Sequence, residues 1–301
     1  MTSPLPSSDV SPDQPVFAAQ FTGRVRLAQN LMRRCCAGQS LLLHGGPKLG
    51  KTSMLRHLEW LIEQERHAFP ATPPAFYMDL ADEGARQHLL QGSDKTRATL
   101  LLLDHGDHLL NKHGVSVLRE VIQREPCAYA IVWAGASAAL KAPLDQIGPA
   151  SLRPVPLAVL FDGEARDLLK QYLTPSELTI ALRAGGTHPY VLKVIVHELQ
   201  AGADDPTRAI QSSAERLVPF FKACREAVRQ PSEQTLLRYL VQEAKPVAPQ
   251  EAADVLALTT IKSSADVLCS LGLISRWNLA DGARLHASCR LFNDWYLANN
   301  V

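Results

Sequence analysis

The alternation of apolar and polar positions changes character along the chain. Residues 1–16 hold four prolines and four serines with little apolar content, the composition of a flexible arm. A helical pattern runs over 25–37. The period then shortens: residues 40–44 form a brief apolar strand, broken by Gly45-Gly46-Pro47. Beyond Gly50, the residues Met54, Leu55, Leu58, Leu61 and Ile62 recur at helical spacing. Further short, nearly all-apolar runs at 75–80, 99–103, 129–134 and 154–160 read as strands covered on both faces. Helical segments between strands predict an α/β fold with a parallel sheet. About twenty residues separate Asp79 from the run at 99, room for one helix or loop.

From Gly163 the pattern becomes helical, over roughly 163–172, 175–184, 190–200 and 206–228. After Pro231 come three short helices, near 232–244, 249–257 and 261–271, and then two strands, 273–277 and 283–286, joined by a turn through Asp281-Gly282. Three helices followed by a two-stranded wing predict a winged-helix unit. The predicted organisation is an arm (1–16), a sheet-containing core (17–160), a helical segment (161–230) and a winged helix (231–301).

Composition adds bounds. The 301 residues are 46% hydrophobic and 20% charged, with a formal net charge of +1. Such a balance gives no bulk attraction to nucleic acid or membrane, so contacts of that kind need a local patch. Six cysteines are scattered without metal-ligand spacing and read as ordinary thiols of a reducing compartment. No apolar run approaches the ~18 residues of a membrane helix, and the start is unlike a signal peptide. A cytoplasmic protein without a membrane partner is expected.

The chemistry begins at Gly45-Gly46-Pro47-Lys48-Leu49-Gly50-Lys51-Thr52, a full match to G-x-x-x-x-G-K-[ST] between a strand and a helix. Glycines let the backbone curl into a nest of inward N–H donors without Cβ clashes, and the following helix aims its positive end at phosphate. Lys51 is expected to be solvent-accessible when the loop is empty and to reach the β- and γ-phosphates. Thr52 is expected to coordinate Mg²⁺, with Ser53 completing the candidate binding set. The second element is Leu100-Leu101-Leu102-Leu103-Asp104, which puts a carboxylate at the C-terminal edge of a strand, where it can hold the metal. The cofactors implied are ATP or ADP with Mg²⁺.

Together with Phe21-Thr22-Gly23-Arg24 and Gly185-Gly186-Thr187-His188-Pro189-Tyr190, these motifs resemble the STAND branch of AAA+ ATPases over about residues 18–300. The resemblance implies a P-loop AAA+ core, an all-helical lid at 161–230 and the winged helix. It also implies a nucleotide contact from Arg24, for which a solvated helix-start arginine is the alternative, and one from lid Pro189, for which an ordinary helix-starting proline is the alternative. Ser137 is the nearest candidate for a γ-phosphate sensor, with a turn-forming serine as the alternative. Arg153 stands either as an arginine finger acting across subunits or as a surface arginine. His286 in Arg284-Leu285-His286-Ala287 is faintly similar to a wing histidine that faces the ADP β-phosphate, although Ala287 replaces the aspartate of that signature and a structural histidine is the alternative.

Two departures bear on turnover. The family's acidic pair after the strand is Asp104-His105 here, so the carboxylate that polarises water is absent. His105 and Asp107 are the substitutes, and Asp107 reads equally as a helix-capping or surface residue. The opening box also lacks its glutamate. Binding followed by slow hydrolysis is expected. Two functions remain: a nucleotide-controlled switch that self-associates and acts with a separate effector or sensor protein, or a DNA-handling ATPase of the initiator or transposition-regulator kind. Residues 231–301 carry six Lys/Arg against seven Asp/Glu, which disfavours DNA.

Overall fold

The computed structural model describes residues 11–16, 18–70, 72–91, 100–109, 131–135, 153–201, 205–259 and 261–299. They fall into two compact units. One comprises Pro15–Gly46 and Gly50–Leu157; the other comprises Met1–Gln14, Pro47–Leu49 and Ala158–Val301.

The first unit is built on five parallel strands in the order β2-β3-β4-β1-β5. They are β1 (Leu41–His44), β2 (Ala75–Asp79), β3 (Leu100–Asp104), β4 (Ile131–Gly135) and β5 (Arg153–Pro156). Leu41, Leu42 and Leu43 are all buried, as are Leu100, Leu102 and Leu103, so both faces of these strands are covered. The last strand is shorter than the pattern predicted, because the chain leaves the sheet after Pro156. Helix α1 (Val25–Cys36) packs on helix α2 (Lys51–Ala68), and α3 (Glu83–Gln91) fills the connection after β2. Met54, Leu55, Leu58 and Ile62 anchor α2 in the core. Leu61 is only half-buried, whereas His57 on the same helix is buried.

The second unit is helical: Asp162–Leu169, Pro175–Gly185, Pro189–Gln200 and Pro206–Ala227, followed by Pro231–Glu243, Pro249–Val255 and Lys262–Leu271. Five of these helices begin on a proline, whose fixed φ suits the first helical position and whose missing N–H costs nothing there. The antiparallel hairpin β6 (Ile274–Leu279) and β7 (Gly282–Ala287) follows the last three helices, in the element order expected of a wing. A final helix, Arg290–Asn299, was not anticipated. Its Leu291, Phe292 and Tyr296 enter the core, with Phe292 edge-on to Phe221 at 5.5 Å.

The twin glycines of this unit have a packing reason. Gly186 adopts φ +60°, and a Cβ there would lie 1.7 Å from the Ser288 carbonyl oxygen. On Gly185 a Cβ would press into Ile195 at 2.8 Å. Helix Pro175–Gly185 therefore ends where only glycine lets the chain turn against the residues that follow the wing.

Candidate functional site

The glycine-rich loop leaves β1 and enters α2 through Gly50, whose φ of +89° places it in the left-handed region at the helix N-cap. Gly45 answers to a different constraint, since a Cβ would stand 2.5 Å from the Leu157 carbonyl oxygen. Lys48 also has positive φ, +58°. Within the second unit its ammonium pairs with Asp13 at 3.0 Å and lies 5.0 Å above the Tyr190 ring. The Tyr190 hydroxyl donates to the same Asp13 carboxylate at 3.2 Å.

Lys51 corrects an expectation. Its ammonium is not freely accessible but half-buried, donating to the carbonyl oxygens of Gly45 (2.9 Å) and Gly46 (2.6 Å). Burial pushes its pKa down, and the carboxylates of Asp104 and Asp107 oppose that shift. Thr52 follows in the first turn of α2 and is half-buried. The Ser53 hydroxyl accepts from the Val16 N–H at 3.2 Å, so the last residues of the predicted arm are held at this helix start.

Arg24 is buried at the N-cap of α1, and its guanidinium approaches Gly50 closely enough that a Cβ there would meet it at 3.5 Å. This overturns the solvated alternative and sets Arg24 beside the loop. Phe21, from the same motif, stacks on His57 with ring centroids 4.0 Å apart and planes 10° apart; His57 stacks in turn on Trp60 at 5.4 Å. Burial holds the His57 pKa down at about 4.

At the end of β3, Asp104 is 1% exposed. Its Oδ2 accepts from the Tyr77 hydroxyl at 3.0 Å and its Oδ1 from the His105 backbone N–H at 2.9 Å. Burial, followed by the Asp104 charge, pushes the Tyr77 phenol up, so it remains a donor. His105 sits in the left-handed region at φ +51°, with Nδ1 2.7 Å from the Asp79 carboxylate. The register that pairs Asp79 with Asp104 across β2 and β3 brings these groups together. Asp107 lies in the 3₁₀ turn Gly106–Leu109 and is exposed. Pattern reading passed over Tyr77 and Asp79; the signal available was that two neighbouring strands both end in aspartate.

The remaining candidates belong to other elements. Pro189 opens its helix as expected, and His188 before it is buried with its ring edge-on to Phe220 at 5.2 Å. His286 is on β7, stacked on Trp277 at 5.0 Å, with its pKa lowered by burial. Arg153 is the exposed first residue of β5. Ser137 lies outside the described residues.

Among the described residues no cluster of three His, Cys, Asp or Glu could hold a metal by protein ligands alone. One hydroxyl and one carboxylate, Thr52 and Asp104, instead match Mg²⁺, which keeps waters and takes its other oxygens from phosphate. Asp104 retains lone pairs after its two neutral hydrogen bonds, so the donor set fits that ion.

A strand running into a glycine-rich loop and helix, with a carboxylate at the end of a parallel strand one place beyond its neighbour in the sheet order β2-β3-β4-β1-β5, defines the P-loop AAA+ fold. Solved structures share it across nearly the whole chain. The Walker-type ATPase PABY2304 of Pyrococcus abyssi superposes with a TM-score of 0.62 at 14% identity, covering 94% of this chain and 98% of that one. The Aeropyrum pernix ORC2 protein, solved as ADPNP–ADP complexes, gives 0.54 at 12% identity, covering 96% and 98%. ORC1 of Aeropyrum pernix, solved in complex with DNA, gives 0.52 at 14% identity, covering 97% and 95%. By sequence the chain matches no protein-family model and no curated protein.

Proposed function

We propose that this chain is a Mg²⁺-dependent ATP- and ADP-binding protein that hydrolyses ATP slowly and acts as a nucleotide-controlled switch on its own assembly or on a cytoplasmic partner protein. The observation that carries the reading is the convergence of Lys51, Thr52, Arg24 and the buried Asp104 on one helix start. In this reading the phosphates take over Lys51 from the Gly45 and Gly46 carbonyls, because a charge-assisted hydrogen bond outcompetes a neutral one. The loop N–H groups and the N-terminus of α2 receive the phosphate oxygens. Thr52 and Asp104 hold Mg²⁺, which when bound neutralises charge on the transferring phosphoryl group. Slow turnover follows from position 105, where a histidine bound to Asp79 stands in place of a carboxylate.

Charge pairing supports a protein-facing winged helix. Of the six basic residues after 230, Lys245, Arg276, Arg284 and Arg290 each pair with a carboxylate, respectively Glu243, Asp266, Asp281 and Asp294. Such pairs leave little counterion release to drive duplex binding. The initiator-like alternative draws on the likeness to ORC1, whose solved form contains DNA. Among the described residues no helix is long and apolar enough to cross a membrane. The test is titration with labelled ATP. Lys51→Ala in the folded protein abolishes tight binding; unchanged affinity would sink the proposal.

A further inference from the structure

We propose that Tyr77 is a positioning residue for the metal-binding carboxylate: braced by Arg56 and Glu59 of α2, its phenol holds Asp104 in the orientation that the Mg²⁺ of a bound nucleotide requires. The proposal rests on the reading of Thr52 and Asp104 as the protein ligands of that ion.

The contacts form a continuous chain from one ligand's helix to the other ligand's side chain. Arg56 and Glu59 lie one and two turns beyond Thr52 on the same helix. The Arg56 guanidinium lies 3.5 Å from the centre of the Tyr77 ring, and Arg56 also donates to Glu59 Oε2 at 3.3 Å. The other oxygen of Glu59 accepts the backbone N–H of Tyr77 at 3.2 Å. One carboxylate thus fixes both the cation over the ring and the main chain beneath it. From this brace the Tyr77 hydroxyl reaches Asp104 Oδ2 at 3.0 Å, while the His105 N–H holds Oδ1 at 2.9 Å.

Both donors to Asp104 are neutral. A lysine or arginine there would neutralise the carboxylate and compete with a cation, whereas a phenol and an amide orient it without themselves neutralising it. Hydrophobic packing alone would be met by phenylalanine, so the hydroxyl is the informative atom. Residues that orient a metal's ligands in this way typically contribute ~10- to 100-fold to metal affinity.

The experiment compares full-length wild type with Tyr77→Phe, using Mn²⁺ as the probe and a non-hydrolysable ATP analogue. Free Mn²⁺ is counted by electron paramagnetic resonance, and analogue affinity is measured separately in EDTA. Tyr77→Phe is expected to weaken Mn²⁺ binding to the protein–nucleotide complex about tenfold, with metal-free nucleotide affinity within about twofold of wild type. Arg56→Met is expected to act in the same direction by a smaller factor, and it decides the matter should Tyr77→Phe fail to fold. Equal losses with and without metal would reveal a merely structural role and overturn the proposal. Unchanged Mn²⁺ affinity in Tyr77→Phe, beside a marked loss in Asp104→Asn, would also overturn it. Unchanged Mn²⁺ affinity in both Asp104→Asn and Thr52→Ala would instead remove the ligand reading on which the proposal stands.

Discussion

Mild acid should unfasten the Phe21 segment from α2 through a single buried histidine. His57 is 4% exposed, stacked between Phe21 and Trp60, and burial holds its pKa at about 4 against an ordinary 6.5. A folded pKa below the unfolded one means that the unfolded chain binds the extra proton between pH 6.5 and about 4 while the folded chain does not. The stability that His57 contributes is present in full above pH 6.5 and is lost as pH falls through that window. Integrating the difference in bound protons from pH 7 to pH 5 gives about 2 kcal/mol. His44, whose pKa is also lowered by burial and then by Lys51, adds to the fall in the same direction, so the wild-type slope alone does not isolate His57. His57→Phe keeps a stacking ring and removes the proton site. Urea unfolding of both proteins at pH 7, 6 and 5, followed by tryptophan fluorescence and circular dichroism, should show wild type losing about 2 kcal/mol more than the variant over that range. Parallel losses in the two proteins would refute the argument. Because Phe21 leads directly to Arg24 and Gly50, nucleotide affinity is expected to weaken over the same window in wild type.

Gly186→Ala should lower the melting temperature by many degrees, since its Cβ would fall 1.7 Å from the Ser288 carbonyl oxygen in a backbone region that disfavours side chains; a change under about 2 °C would contradict that geometry. His105→Glu by itself should raise single-turnover ATP hydrolysis little, because the new carboxylate would stand against Asp79, which now lies 2.7 Å from the His105 ring. The double variant His105→Glu with Asp79→Asn should be the faster of the two, and phosphate release under single-turnover conditions checks the order. Full-length protein should bind duplex DNA weakly at moderate salt, with a shallow log–log salt slope; tight and steeply salt-dependent binding would put the initiator-like function first.

The chain declares much of itself locally. The strand–glycine loop–helix at 41–68, the leucine-rich strand ending in Asp104 and the prolines that open successive helices are all short-range signals, because phosphate nests, buried parallel strands and helix starts each impose residue types on neighbours in sequence. The final helix at 290–299 escaped because its apolar residues Leu291, Phe292 and Trp295 followed a wing already taken as the end of the fold. What the tertiary structure alone decided are the partnerships. Arg24 could have been a solvated helix start until packing brought it beside Gly50. Lys51 could have been an open cation until the loop's own carbonyls closed on it. Nothing local ties Tyr77 to Asp104 or Asp79 to His105, which lie 27 and 26 residues apart. The parallel register of β2 on β3 makes those pairs, and register is set by how whole strands bury their faces, not by the residues that end up touching.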